Sequence, residues 1–171
     1  QTKGSAAILM DVNTGEIISL VSLPDFDPNR RVKITDINYI NRATKGVYEL
    51  GSVFKTFTLA AGFHEGVIEP NTEFKNLEKS IKCGKNTISE YDEKIPSDLT
   101  AEQILIRSGN IGSVRIAQEI GLDRFKSFLN KLSLINPIKF DIDEVGMPVS
   151  FKWGKCKLAT VSYGHGITTT I

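Results

Sequence analysis

Two short segments carry side chains whose types and spacing suit nucleophilic catalysis. In Gly51-Ser52-Val53-Phe54-Lys55, a helix opening at Ser52 puts Lys55 three residues on and on the same face, within reach of the serine hydroxyl. A serine hydroxyl attacks poorly until a base takes its proton, and a lysine is a base only when neutral. Burial lowers a lysine pKa, and a helix interior lined by Phe54 and Phe57 offers that burial. The helix N-terminus adds backbone N–H groups suited to an oxyanion. Taken alone, Ser-x-x-Lys is better described as an N-cap serine followed by a surface lysine; Gly51 at the helix entry and the apolar helix body shift the reading toward burial.

Ser108-Gly109-Asn110 is the second segment, expected in a turn between two helices. A hydroxyl and an amide held there can relay a proton and hold a substrate carbonyl. The alternative is a helix C-cap with Gly109 in the left-handed conformation and Asn110 capping the next helix.

Other chemistry-bearing residues are less organised. His64 lies near a helix end, about three turns from Ser52, and His165 sits in Gly164-His165-Gly166; both read as structural or surface residues. Asp141, Asp143 and Glu144 lack the spacing of a calcium loop and read as a solvated loop. Arg30, Arg31 and Lys33 have no aromatic interleaving, so they read as a solvated stretch and not a nucleic-acid contact. Cys83 and Cys156 form no zinc pattern, and one bridge or two free thiols fit equally well. No metal and no cofactor is expected.

Elements that would position these residues follow from periodicity. Ala6–Asp11 and Glu16–Ser22 read as a β-hairpin around Val12-Asn13-Thr14-Gly15, its adjacent apolar residues suggesting strands covered on both faces. Pro24 to about Arg31 reads as a loop. A helix from Ser52 to about His64 shows Val53, Phe57, Ala60 and Ala61 on one face, with Gly66 placed to end it. The polar stretch from Glu69 to Leu99 reads as loops. Thr100-Ala101-Glu102-Gln103 is a capping box opening a short helix, Ala101–Arg107. Further helices are expected over Ile111–Ile120 and from Asp123 as N-cap, the latter on Phe125, Phe128, Leu129 and Leu132. The glycine-rich tail reads as turns. The sum is an α+β domain whose sheet needs more strands than the hairpin supplies.

With 171 residues, 40% hydrophobic and 24% charged, the chain suits one domain with a sizeable core. A net charge of +1 gives no reason to expect nucleic acid or an anionic surface. No apolar run approaches a membrane span of roughly 18 residues, so any anchor would lie outside these residues.

The segments together resemble the transpeptidase domain of class B penicillin-binding proteins, most like the division-specific FtsI type. Ser-x-x-Lys and Ser-x-Asn are two of that superfamily's three signatures and stand in its order. Met10-Asp11-Val12-Asn13-Thr14-Gly15-Glu16-Ile17, Pro24-Asp25-Phe26-Asp27-Pro28-Asn29, Asn41-Arg42-Ala43, Tyr48-Glu49-Leu50-Gly51-Ser52 and Tyr163-Gly164-His165-Gly166-Ile167 are similar to family segments. The resemblance implies the α+β penicillin-binding fold shared with serine β-lactamases. It implies that Ser52 attacks the D-Ala-D-Ala carbonyl of a peptidoglycan stem peptide to form an acyl-enzyme, then cross-linked by a second stem's amine. Lys55 would be the base, Ser108 the proton shuttle, Asn110 the substrate-binding amide and the Ser52 N–H half of the oxyanion hole. Covalent β-lactam binding, division-protein partners and a periplasm-facing domain on a bacterial inner membrane are likewise implied.

The sequence departs from the family in one respect. Lys-Thr-Gly, expected on a strand after the Gly-His-Gly segment, is absent, and Ile171 follows Thr170 where the family has Pro. Residues 1–171 thus read as a partial transpeptidase domain missing later strands. One lost oxyanion donor costs roughly 10²–10³ in rate, so this piece alone is expected to be poorly active. An open sheet edge also makes dimerisation an expectation. Alternatives sharing the motifs are an elongation-specific transpeptidase, a β-lactamase or carboxypeptidase, and a non-catalytic β-lactam-sensing or docking module.

Overall fold

The computed structural model describes residues 3–30, 33 and 35–171; Arg31 of the basic stretch lies outside the described residues. Strands β1 (Ser5–Met10) and β2 (Ile17–Leu23) form the expected hairpin, antiparallel from Ser5↔Leu23 to Met10↔Ile17. The Asp11 carboxylate holds the turn by accepting from Asn13 N at 2.7 Å and Thr14 N at 3.0 Å. The expectation of strands covered on both faces is corrected: Ile8, Leu9, Met10 and Ile18 are exposed. Among the described residues no third strand pairs with either, and only Ala6, Ile17, Leu20 and Ser22 are half-buried.

The chain then returns through Tyr48, whose backbone exchanges both hydrogen bonds with Thr169. A hollow of about 460 Å³ lies between the start of β1, Tyr48, Leu50 and Ile171. A 3₁₀ turn over Gly51–Phe54 leads into α1 (Lys55–His64). Gly66 follows with φ 65°, as expected of a helix end. The assigned inner face is corrected. Val53 and Ala60 are exposed, and the face turned to the core carries Phe54, Lys55, Thr58, Leu59, Ala61 and Gly62.

The stretch expected to be loops holds strands β3 (Glu73–Phe74), β4 (Ser80–Cys83), β5 (Asn86–Ser89) and β6 (Leu99–Thr100). β4 pairs with β5 around Gly84-Lys85, and β3 with β6. Such strands leave little pattern: of β4 and β5, only Ile88 is fully buried. The capping box forms as expected. Gln103 N donates to Thr100 Oγ1 at 3.2 Å, and Thr100 N donates to Gln103 Oε1 at 2.9 Å. It opens α2 (Ala101–Ile106).

Helix α3 (Asn110–Ile120) is the centre of the domain. Its Ile111, Val114, Ile116, Ala117 and Ile120 are inaccessible to solvent. Gly112 allows α2 to close on it, since a Cβ there would come within 2.5 Å of the Ile104 side chain. Gly121, at φ 83°, ends α3 and directly precedes α4 (Leu122–Lys131). Asp123 therefore sits inside the first turn of α4 and does not cap it, and Leu132 lies past its end, exposed. The tail contains an unexpected helix, α5 (Lys155–Val161), bracketed by Gly154 and Gly164 and too short to show a period. Cys83 and Cys156 form a disulfide joining β4 to the first turn of α5, which decides between the two alternatives.

Candidate active site

The 3₁₀ turn before α1, the α2–α3 turn and the first residue of α3 converge on one amine. Lys55 Nζ lies within hydrogen-bond distance of Ser52 Oγ at 3.2 Å, Ser108 Oγ at 2.9 Å, Ser108 O at 2.6 Å and Asn110 Oδ1 at 2.8 Å. All four residues singled out from the sequence thus meet at a single point. Ser52 is exposed while Lys55 is inaccessible to solvent, so the hydroxyl faces outward and the amine supports it from within.

Local backbone geometry sets this up. Gly51 takes φ 56°, turning the chain sharply into the 3₁₀ turn that carries Ser52. Gly164, at φ 81°, packs on that turn so closely that a Cβ there would lie 2.0 Å from Gly51 O. Ser108 adopts φ 54°, an uncommon conformation for a side-chain-bearing residue that costs about 1 kcal/mol or more. The alternative of a C-cap glycine is corrected on this point: Gly109 is extended at φ −68°, and the left-handed residue is Ser108. That conformation accompanies a geometry in which both the hydroxyl and the carbonyl of Ser108 meet Lys55.

Burial lowers the Lys55 pKa from 10.5 to about 8, with the nearby Glu90 carboxylate acting in the opposite direction. Two of its four partners, Ser108 O and Asn110 Oδ1, can only accept. A neutral amine has two N–H groups for them and a lone pair left for a serine hydroxyl. The arrangement therefore accommodates the neutral form, the one able to remove a proton, as well as the ammonium.

Glu90 was not among the expected residues. Its carboxylate accepts from Asn110 N at 2.6 Å and Ile111 N at 3.0 Å, and the neighbouring Ser89 O accepts from Asn110 Nδ2 at 2.9 Å. The one available signal was an acidic residue ending a β-prone Asn86-Thr87-Ile88-Ser89 run, too weak to single out.

The histidines lie outside this hydrogen-bonded set. His64 packs its ring against Phe128, 5.5 Å between centroids, and His165 Nδ1 stands 3.5 Å from Glu49 Oε2. Glu144 of the acidic stretch accepts from Asn41 N at 3.3 Å. Among the described residues, no cluster of three or more His, Cys, Asp or Glu is suited to a metal ion, and no helix is long and apolar enough to cross a membrane.

A buried lysine joining a Ser-x-x-Lys serine to a Ser-x-Asn turn is the arrangement of the penicillin-recognising serine enzymes. Residues 5–171 match the penicillin binding protein transpeptidase domain, and the chain belongs to that family. Among curated relatives it is 34% identical over 166 residues to the probable peptidoglycan D,D-transpeptidase FtsI of Caulobacter vibrioides, covering 96% of this chain and 28% of that protein. It is 28% identical to the probable peptidoglycan D,D-transpeptidase PenA of Neisseria flavescens, covering 100% of this chain and 42% of that one. Its fold matches the TP domain of penicillin-binding protein 3 from Burkholderia pseudomallei with a TM-score of 0.79 and 24% identity, over 98% of this chain and 46% of that one. The chain thus has the mixed α and β transpeptidase fold and spans less than half the length of each of these three.

Proposed function

We propose that residues 1–171 are the nucleophile-bearing part of a peptidoglycan D,D-transpeptidase domain, and that Ser52 is the residue acylated. The observation that carries this reading is the contact of solvent-inaccessible Lys55 with Ser52, Ser108 and Asn110. Neutral Lys55 takes the Ser52 hydroxyl proton as Oγ bonds to the penultimate D-Ala carbonyl carbon. The resulting oxyanion lies against the Ser52 N–H, in a first helical turn whose N–H groups lack helical acceptors. Collapse breaks the peptide C–N bond, and the proton returns through Ser108 to the departing D-Ala amine. Asn110 keeps one amide N–H for the substrate beyond the one given to Ser89 O. A second stem's amine then attacks the ester, forms the cross-link and frees Ser52.

The names of the FtsI relatives support a role in septal wall synthesis alongside division proteins. A peptidoglycan substrate supports a periplasm-facing domain on the inner membrane, and the Cys83–Cys156 bridge suits that oxidising compartment. β-Lactams, as acyl-D-Ala-D-Ala mimics, would leave a stable ester on Ser52. In the full-length protein, fluorescent penicillin is expected to label covalently and Ser52→Ala to abolish labelling; unchanged labelling of the variant would sink the assignment. Slow deacylation is expected, whereas rapid recovery of free serine would mark a hydrolase. Among the described residues no third strand pairs with β1 or β2, and this edge, with Ile8, Leu9 and Met10 exposed, supports pairing with a second copy of this chain. A purely monomeric 171-residue chain by sedimentation at micromolar concentration would refute that pairing.

A further inference from the structure

The N-terminus of α3 is capped from a distance. Gly109 occupies the N-cap position and supplies no side-chain cap. The two N–H groups that follow, of Asn110 and Ile111, are instead bound by the two carboxylate oxygens of Glu90, delivered by the end of β5. Ser89 O takes Asn110 Nδ2, so Asn110 Oδ1 must face Lys55; the flipped amide would point its NH₂ at the ammonium. The hairpin carrying Ser89 and Glu90 is tied to α5 by the Cys83–Cys156 disulfide, so the cap has its own mooring.

We propose that Glu90 is a positioning residue for acylation: its carboxylate fixes Asn110 against Lys55 and brings a negative charge to the lysine. The inference rests on the reading of Ser52 as nucleophile and Lys55 as base. Burial and the carboxylate act on Lys55 in opposite directions, burial being the larger. The carboxylate keeps enough ammonium character for Lys55 to return its proton to the departing amine, and the cap keeps the acceptors of that ammonium in place.

Other charged groups around the site are directed elsewhere. On the α5 side, Glu49 pairs with His165 and accepts from Gly166 N, Lys157 Nζ donates to Gly166 O, and Tyr163 stacks with His165. Beside Glu90, Lys79 Nζ is directed to Glu93 O and Ile95 O, and Arg107 is exposed. Among the described residues none of these bonds to Lys55, Ser108 or Asn110.

The test is single-turnover acylation of the full-length protein by fluorescent penicillin between pH 6 and 10, for wild type, Glu90→Gln and Glu90→Asp. Glutamine removes the charge and turns an NH₂ toward one of the two N–H groups. The expected result is a midpoint of the rate profile lower by about half a unit to one unit and a plateau at least tenfold down. Aspartate keeps the charge but is one methylene short of bringing both oxygens to the two N–H groups, so the midpoint stays near wild type while the rate falls at least threefold. A loss in Glu90→Gln with an unmoved midpoint reduces Glu90 to an ordinary helix cap and overturns the proposal. If the glutamine variant does not fold, an unchanged rate in Glu90→Asp overturns it instead. Labelling that survives Ser52→Ala sinks the underlying reading; labelling lost in Ser52→Ala with an unmoved Glu90→Gln midpoint sinks only this inference.

Discussion

The pH dependence of acylation follows from how Lys55 is buried. With a pKa of about 8, about one Lys55 in ten is neutral at pH 7. At the ordinary value of 10.5 about one in 3,000 would be, so burial enlarges the reactive population about 300-fold. The folded pKa lies below the unfolded one, so the neutral base accumulates as pH rises through 8, well before a free lysine would titrate. The acylation rate is therefore expected to rise about tenfold from pH 7 and level off near pH 9. The assay is quenched-flow labelling of the full-length protein with fluorescent penicillin, using short reaction times so that the antibiotic's own hydrolysis is negligible. A flat profile from pH 6 to 10 would refute Lys55 as the base. A rise continuing past pH 10 would refute its burial. The same burial has a stability signature: between pH 8 and 10.5 the unfolded chain holds a proton the folded one lacks, so folding stability owed to Lys55 increases with pH. In urea titrations that increment should be present in wild type and absent from Lys55→Met.

Three further outcomes are expected. Ser108→Ala keeps the carbonyl contact to Lys55 but removes the hydroxyl, and should lower the acylation rate about 10²-fold or more with little change in melting temperature. Replacing Cys83 and Cys156 by Ser releases a closed loop 73 residues long and should cost about 2–4 kcal/mol in urea unfolding, with no effect expected only if the thiols are unpaired in the native protein. Gly164→Ala puts a Cβ onto Gly51 O at a left-handed position and should cost about 2–5 kcal/mol and slow acylation as the Ser52 turn shifts; unchanged melting and rate would mean the two turns do not touch.

Parts of the fold were legible wherever one residue had to do one thing. Thr100 and Gln103 satisfy each other across a helix start, and glycines at 66 and 121 take the positive φ that ends a helix. The hairpin around residues 12–15 was legible from its turn, though not the register, which shifts between Leu9 and Met10. The β4–β5 hairpin was not legible because its ties, the Cys83–Cys156 bridge and the bond of neighbouring Glu90 to the start of α3, are distant in sequence. α5 escaped notice because seven residues hold barely two turns of periodicity. Ser108 was credited with chemistry, but its backbone was not expected to be the left-handed one, since Gly109 beside it adopts that conformation more cheaply.

The misassigned face of α1 shows how such a site hides. Lys55, Thr58, Leu59 and Gly62 fall at i, i+3, i+4 and i+7, the spacing of a core-facing stripe, yet only Leu59 among them is a large apolar residue. Scoring by hydrophobicity sends such a stripe to solvent and selects Val53 and Ala60, which are exposed. Each of the other three members is buried because something specific meets it. Thr58 Oγ1 donates to Ser162 O at 2.7 Å, Gly62 makes room for Ile68, and Lys55 is bound by the Ser108–Asn110 turn. An unpaired buried lysine would be strongly destabilising, so the stripe is stable only when α3 presents its N-terminal turn to α1. The helix that buries the base is thus also the helix that supplies its partners. This is why the Ser-x-x-Lys tetrad is ambiguous by itself and becomes specific only when Ser108-Gly109-Asn110 is read with it.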